Sequence, residues 1–410
     1  MDAMRIAIFS DNFYPEIGGI QDSIEATAIA LGQRGHFVDF YVPRYGRREF
    51  KRVNAVPGEL NLGANIRIHR LHALPFPSST KQSRAAFPMP ASWFHLPKAS
   101  RPNIIHTQSF FGVGLNALMV GRRLGIPVAG TNHTAIRAFG SYLPIGMDAA
   151  AAYILWYYNR CNLVTAPSRS VFNELGQDRL RRPLQVISNP IATEIFSPVS
   201  HVVKRQLKTE LGLAGPTITY AGRLAVEKNI DPILRALALV KERIPSAELV
   251  IAGHGSQERH LRALAQKLDL ETSVRFVGTL PKANLAKLFQ ASDVFVTMSK
   301  SETQGMALLQ AMACGVPVIG ANARALPEYI RSDCGLLVEA SDAVALSSRL
   351  ADLLGNPEVQ SQLGRSGASY VKQFATERIA DQWEHHYELL IERKASDERV
   401  SQNQLRRTGV

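Results

Sequence analysis

Cysteine is scarce in this chain of 410 residues: Cys161, Cys314 and Cys334 are widely spaced and odd in number. Such usage excludes a disulfide scaffold, supplies no Cys-x-x-Cys metal clip and suits a reducing compartment. His-Glu-x-x-His and Asp-x-Asp are also missing, so no catalytic metal is expected. Without a Walker loop, P-loop kinase or ATPase chemistry is excluded, and no Gly-x-Gly-x-x-Gly follows the first strand as a dinucleotide enzyme would require. Long apolar runs are lacking too: the stretches near Gly112–Gly121 and Ala149–Tyr158 fall short of the ~20 residues of a membrane span. The opening Met-Asp-Ala-Met-Arg-Ile-Ala-Ile-Phe-Ser passes straight into a strand, leaving no room for a basic region and an apolar signal. A cytoplasmic chain is expected, soluble or peripheral on the inner face of the cell membrane.

What is present is an ordinary globular composition, 46% apolar and 20% charged. The length suits two domains rather than one core. The net charge of +12 is unevenly spread: residues 1–200 carry 21 Lys and Arg against 12 Asp and Glu. Arg44, Arg47, Arg48, Lys51 and Arg52, and again Arg179, Arg181 and Arg182, make up much of that excess. A basic surface suits nucleic acid, anionic lipid or a phosphorylated acceptor, and equally a solvated face with no partner.

Strand and helix patterns alternate throughout, which predicts α/β architecture with parallel sheets. The first series runs from Arg5–Phe9 through Phe37–Val42, Ile66–Arg70, Asn103–His106, Pro127–Thr131 and Leu163–Ala166 to Gln185–Ile187. Leu71–Pro102 is rich in Pro, Ser and aromatics without a period and reads as a partly irregular insertion. A second series starts at Thr217–Ala221 and ends at Gly335–Val338. The expected boundaries are a first domain over 1–195, a second over 196–375, a helix over 376–394 packing back on the first domain, and a polar, disordered tail over 395–410.

Three segments concentrate chemistry. Ser299-Lys-Ser-Glu-Thr-Gln-Gly-Met-Ala-Leu-Leu-Gln-Ala-Met-Ala-Cys-Gly-Val-Pro-Val318 reads as a strand end, turn, helix and next strand. This puts Glu302 at the carboxyl end of a parallel strand, beside a helix N-terminus that favours anions. Gly305 allows close backbone approach there, and Gly315 ends the helix. Tyr220-Ala-Gly-Arg-Leu-Ala-Val-Glu-Lys-Asn229 places Arg223 and Lys228 after another strand, a fixed pair of cations suited to a departing diphosphate. Tyr14-Pro-Glu-Ile-Gly-Gly19 sets Gly18 and Gly19 between the first strand and a helix, where N–H groups can approach phosphate, although a plain tight turn explains the pair as well. His106 and His133 follow two further strands; a lone histidine is more often structural than catalytic.

Together these motifs resemble the retaining, nucleotide-sugar-dependent glycosyltransferases of the GT-B type, family 4 (glycosyl transferases group 1). The nearest likeness is to the bacterial diacylglycerol glucosyltransferase and mannosyltransferase branch, through Ser301-Glu-Thr-Gln-Gly305. The resemblance implies two Rossmann-like domains facing across a cleft. It implies hexosyl transfer with retention from a nucleoside-diphosphate sugar, which is a co-substrate, so no cofactor is expected. It assigns Gly18, Gly19, Arg223 and Lys228 to the diphosphate and Glu302 to the sugar hydroxyls, with Gly305 beside it. Gly253, in Gly-His-Gly255, and Val277 are assigned to the nucleotide, and His133 to the donor sugar. It leaves His106 structural or acceptor-side.

The family's second acid, which accepts hydrogen bonds from both ribose hydroxyls, is replaced here by Gln310, which can accept but carries no charge. The longer acidic, tyrosine-rich motif of the lipid enzymes is not preserved over Asn132–Tyr142. UDP-glucose, UDP-galactose and GDP-mannose all suit as donors. The acceptor is open between a membrane glycerolipid and a soluble or polysaccharide-precursor sugar. No nucleic acid partner is expected, and oligomeric state is not readable. Two rivals share the architecture, a nucleotide-sugar epimerase and a catalytically weak nucleotide-sugar-binding partner; the cation pair argues against the first, and Gln310 motivates the second.

Overall fold

The computed structural model describes residues 3–16, 18–52, 56–75, 84–87, 101–134, 147–176 and 180–408. Most of the expected insertion, the stretch 135–142 and Arg179 lie outside them. The chain divides into two compact units: Met1–Pro190 with Thr376–Val410, and Ile191–Ala375.

The first unit is built on a parallel sheet of seven strands. In chain order these are β1 (Arg5–Phe9), β2 (Phe37–Pro43), β3 (Ile66–Leu71), β6 (Ile104–Thr107), β7 (Val128–Thr131), β8 (Leu163–Ala166) and β9 (Leu184–Val186). A small antiparallel pair, β4 (Ala73–Pro75) and β5 (Arg84–Ala86), lies in the expected insertion. The large sheet has the order β3-β2-β1-β6-β7-β8-β9, so the strand order reverses between β1 and β6. Its helices include α1 (Gly19–Gln33), the short α2 (Arg47–Arg52), α3 (Gly112–Leu124), α4 (Met147–Tyr158) and α5 (Arg169–Gly176). β6, β7 and β8 are buried along their whole length, as expected for strands covered on both faces.

The second unit carries α6 (His201–Glu210) and a six-stranded parallel sheet alternating with helices. It runs β10 (Thr217–Ala221), α7 (Asp231–Arg243), β11 (Glu248–Ala252), α8 (Glu258–Lys267), β12 (Val274–Gly278), α9 (Lys282–Ala291), β13 (Val294–Thr297), α10 (Met306–Ala313), β14 (Val318–Ala321), α11 (Leu326–Tyr329) and β15 (Gly335–Val338). α12 (Ala343–Leu354) and α13 (Pro357–Val371) complete it. The sheet order β12-β11-β10-β13-β14-β15 reverses between β10 and β13. Ile191 and Phe196 are both in this unit's core, and the join falls five residues earlier than the expected 195/196.

α14 (Thr376–Thr408) belongs to the first unit. Trp383, Tyr387 and Leu390 enter a core with Ile8, Ile24 and Leu31. Arg34 pairs with Glu377, Asp381 and Glu384 at 2.7, 2.8 and 2.8 Å, and His36 meets Glu384 at 2.8 Å. The expected disordered tail over 395–410 is corrected: the helix runs on to Thr408. Polarity alone suggested disorder, but Ala, Glu, Arg and Gln are good helix formers, and neither Gly nor Pro interrupts the chain between Thr376 and Thr408.

Candidate functional site

In an open parallel sheet the crevice at the carboxyl ends of the strands, where strand order reverses, is the ordinary ligand site. In the second unit that reversal lies between β10 and β13, and the loops after these two strands carry Arg223, Lys228 and Glu302. After β10 the chain passes Gly222 and closes one 3-10 turn at Val226–Lys228. Asn229 then takes left-handed backbone, φ 51°. Its side-chain amide donates to the carbonyls of Met298, at 2.9 Å, and Ala340, at 2.7 Å. Lys300 N–H reaches the Glu227 carbonyl at 3.2 Å. The turn is thereby tied to the end of β13, and Lys228 Nζ lies 2.6 Å from Glu302 Oε1.

Burial pushes the Glu302 carboxyl up, but the Lys228 charge and hydrogen bond, a bond from Ser299 and the Arg223 charge outweigh it. The net result is a carboxyl below its usual range. An ammonium has three N–H donors and Glu302 occupies one, so two remain for other acceptors. Arg223 is half exposed, 3.2 Å from Glu227. Gly305 sits left-handed (φ 87°) as the N-cap of α10, and an added Cβ would lie 3.2 Å from Leu326. Gln310 is buried one helical turn further on, with no hydrogen bond to its side-chain amide among the described residues.

Gly253 has a structural task in addition to any role toward a nucleotide. Its φ is 137°, and a Cβ there would stand 1.9 Å from the Gly222 carbonyl oxygen. This close approach lets Gly222 N–H reach Ala252 O at 2.9 Å, Leu224 N–H reach His254 O at 3.0 Å and Gly253 N–H reach Gly278 O at 2.7 Å. The loops after β10, β11 and β12 are thus bound into one rim, with Val277 exposed on β12. A hollow of about 390 Å3 opens beside Val226, Asn229, Asp231, Arg235 and His260, and none of the expected donor residues lines it.

In the first unit, Gly18 precedes α1 in open surroundings, with nothing within 4 Å of where a Cβ would sit. His133, after β7, is buried, and its Nε2 lies 2.7 Å from Gln108 Oε1. That oxygen only accepts, so Nε2 carries the proton and Nδ1 keeps a free lone pair. Burial lowers the ring to about 4, so it is neutral at physiological pH. His106 is bonded through Nδ1 to the Tyr387 hydroxyl at 2.6 Å and through Nε2 to Thr131 Oγ1 at 2.7 Å. Its ring lies 4.2 Å from Trp383. Burial, then the neighbouring His133, lower it to about 3. This is a histidine fixed in the core beside α14.

Sequence reasoning missed a second acidic centre. Asp11 follows β1 and accepts from Val113 N–H at 2.8 Å, while its own N–H donates to Ser109 Oγ at 2.8 Å. Glu16 lies near Tyr45 and Arg84, and its Oε1 is buried with no partner. Burial raises Asp11 to about 7 and Glu16 to about 8. The available signal was their place: both fall between a first strand and the Gly18–Gly19 pair. Among the described residues no group of three or more His, Cys, Asp or Glu could hold a metal ion. Nor is any helix among them long and apolar enough to cross a membrane.

Known proteins match both units. The family described as Glycosyl transferases group 1 matches residues 205–370, and Glycosyltransferase Family 4 matches residues 17–195. An alpha-monoglucosyldiacylglycerol synthase of Streptococcus pneumoniae is 28% identical over 324 residues, covering 77% of this chain and 70% of that protein. A GDP-mannose-dependent alpha-mannosyltransferase of Mycolicibacterium smegmatis is 27% identical over 399 residues, covering 96% and 99%. The crystal structure of Anabaena Alr3699/HepE in complex with UDP-glucose superposes with a TM-score of 0.74 at 18% identity, covering 96% of this chain and 100% of that one. It shares the fold.

Proposed function

The chain belongs to the group 1, family 4 glycosyltransferases of the GT-B fold, and from that premise we propose that it transfers a hexose with retention from a nucleoside-diphosphate sugar to a membrane glycerolipid hydroxyl, without a metal. One observation carries the donor assignment: a cation and a carboxylate 2.6 Å apart at the point where strand order reverses, with a second cation close by. A metal-free diphosphate needs fixed positive charge, which Arg223 and the two remaining Lys228 donors supply. Glu302 holds the sugar hydroxyls. Gly18 and Gly19 offer backbone N–H groups to the diphosphate, and His133 accepts a sugar hydroxyl at Nδ1. Gly253 and Val277 belong to the nucleotide rim, and Gly305 keeps the start of α10 open beside the sugar.

In the reaction the bond from the anomeric carbon to the phosphate oxygen breaks and one from that carbon to the acceptor oxygen forms on the same face. The acceptor's proton passes to the departing phosphate oxygen, so no protein nucleophile is needed. Arg223 and Lys228 stabilise the charge gathering on that phosphate.

The lipid acceptor rests on the synthase relative, whose name specifies a glucosyldiacylglycerol. The test is transfer of labelled UDP-glucose, UDP-galactose or GDP-mannose with vesicles containing diacylglycerol. Label in the organic phase is expected with one donor. Donor hydrolysis alone would overturn the lipid acceptor in favour of a soluble one, and silence with all three would favour a catalytically weak binding partner.

Gln310 is assigned to the ribose. A charged acceptor bonds a hydroxyl more strongly than a neutral one by about 1 kcal/mol. Gln310→Glu should therefore tighten donor binding roughly fivefold in calorimetry, by the factor of ten that goes with 1.4 kcal/mol. An unchanged dissociation constant would remove Gln310 from the nucleotide site.

A further inference from the structure

Between Leu60 and Met147 the sequence has nine Lys and Arg and no Asp or Glu. That acid-free stretch builds α3 and the β4–β5 pair. On α3 the inner face is Val113, Gly114, Asn116, Ala117, Val120 and Gly121. A Cβ on Gly114 would stand 1.9 Å from Ser109 O, and one on Gly121 2.4 Å from the Val128 side chain, so the helix sits tight against its neighbours. An amphipathic surface helix would turn polar residues outward. Here the exposed positions are Leu115, Met119, Arg122 and Arg123, and Phe111 at the N-cap is exposed as well.

The apolar face continues beyond the helix. Phe111 stacks on Tyr153 at 5.0 Å, and Tyr153 on Trp156 at 5.7 Å. Trp156 is 43% exposed, and the Arg160 guanidinium covers its ring at 4.1 Å. On the other flank, Asn116 Nδ2 donates to the carbonyl of Phe87, a residue 52% exposed. Asp148, in the first turn of α4, is the one acid among the exposed positions of α3 and α4.

We propose that this face, Phe87 with Phe111, Leu115, Met119 and Trp156 bordered by Arg122, Arg123 and Arg160, docks the chain onto an anionic lipid bilayer. Scattered apolar side chains on a monomer need no explanation, but a continuous aromatic and aliphatic stripe does. Helices that lie in a bilayer interface combine Trp, Phe and Leu with Arg in this way, the aliphatic stems buried and the charges reaching the headgroups. The long run without acids favours a surface negative over its whole area, whereas an opposing protein patch would carry mixed charge. The docking surface stands on these residues whether or not the acceptor is itself a lipid.

The full chain would be floated with phosphatidylcholine vesicles and with vesicles containing one third phosphatidylglycerol. Binding to the anionic vesicles is expected, falling with salt, with Trp emission shifted to the blue and quenched by brominated lipid. Leu115→Gln with Met119→Gln, and separately Arg122→Gln with Arg123→Gln, should each weaken vesicle binding about tenfold, with the thermal midpoint unchanged. Trp156→Ser should lower the quenching. Absence of wild-type binding to anionic vesicles, or equal binding by all variants, would overturn the surface. Vesicle binding without glycosylation of any lipid would leave the surface standing and overturn only the lipid acceptor.

Discussion

Lys228→Met should lower transfer by roughly 100- to 1,000-fold, the loss that goes with removing one preorganised donor to charge developing in the transition state. The same substitution has a second consequence. Burial is the largest influence on Glu302 and acts to raise its pKa; the Lys228 charge and hydrogen bond lead the opposing set. With Lys228 gone, burial is opposed only by Ser299 and Arg223, and the carboxyl moves upward. The acid limb of the pH–rate profile should therefore shift upward in the residual activity. A general loss of donor affinity would leave that limb where it was.

Stability separates the two roles further. Both side chains of the pair are more than four-fifths buried, at 17% and 18% exposure. Removing Lys228 strips the buried carboxylate of its hydrogen-bonded counterion and leaves only the Arg223 charge beside it, at a cost of about 3 kcal/mol. Lys228→Met should thus lower the thermal midpoint, and adding Glu302→Gln should restore much of it by removing the stranded charge. Transfer should stay lost in the double variant and in Glu302→Gln alone, whose amide replaces one acceptor with a donor. Near-normal turnover in Glu302→Gln or Glu302→Ala would end the assignment of Glu302 to the sugar. Recovery of activity together with stability in the double variant would make the pair structural.

The motifs were legible because parallel strands covered on both faces read as short apolar runs, and each run ends where chemistry begins. Ile218–Ala221 and Val294–Thr297 are such runs, so Arg223, Lys228 and Glu302 could be placed at strand ends from the sequence. Their meeting could not. Lys228 and Glu302 are 74 positions apart, and only the pairing of β10 with β13 brings them together. Asn229 was equally hidden, because its left-handed backbone and its bonds to Met298 and Ala340 depend on loops that only the folded sheet brings together. The extended α14 was missed for another reason: composition distinguishes polar from apolar, while helix formation depends on which polar residues are present.

Asp11 and Glu16 also escaped the sequence reading, and they should give the first unit an uncommon pH response. A carboxyl whose folded pKa is raised contributes stability below its unfolded value and loses it as pH rises through the folded value. For Asp11 that window runs from 3.8 to about 7, and for Glu16 from 4.5 to about 8. Burial is the main cause in both. Bonds from Val113 and Ser109 moderate it at Asp11; at Glu16 the Tyr45 bond and Arg84 pull down while the Asp11 charge pushes up. The buried histidines act oppositely: with folded values of about 3 and 4 against 6.5, His106 and His133 must gain protons on unfolding, so their contribution grows with pH up to 6.5.

Two carboxyls against two histidines nearly cancel from about pH 5 to 6.5. Above 6.5 the histidines are neutral in both states, and only the carboxyl penalty still grows. At about 1.4 kcal/mol per unit per group, half a unit of Asp11 and one and a half of Glu16 amount to about 2–3 kcal/mol lost by pH 8. The urea midpoint should accordingly be level between pH 5.5 and 6.5 and fall between 6.5 and 8.5, against the usual expectation of a broad plateau through neutrality. Asp11→Asn keeps an oxygen for Val113 N–H and removes the charge, so it should remove the smaller share of the fall, and Glu16→Gln the larger. A wild-type midpoint that stays level to pH 8.5, or a fall that persists in the double variant, would show that these carboxyls ionise without cost. The neutral acid pair beside the Gly18–Gly19 turn would then have no basis.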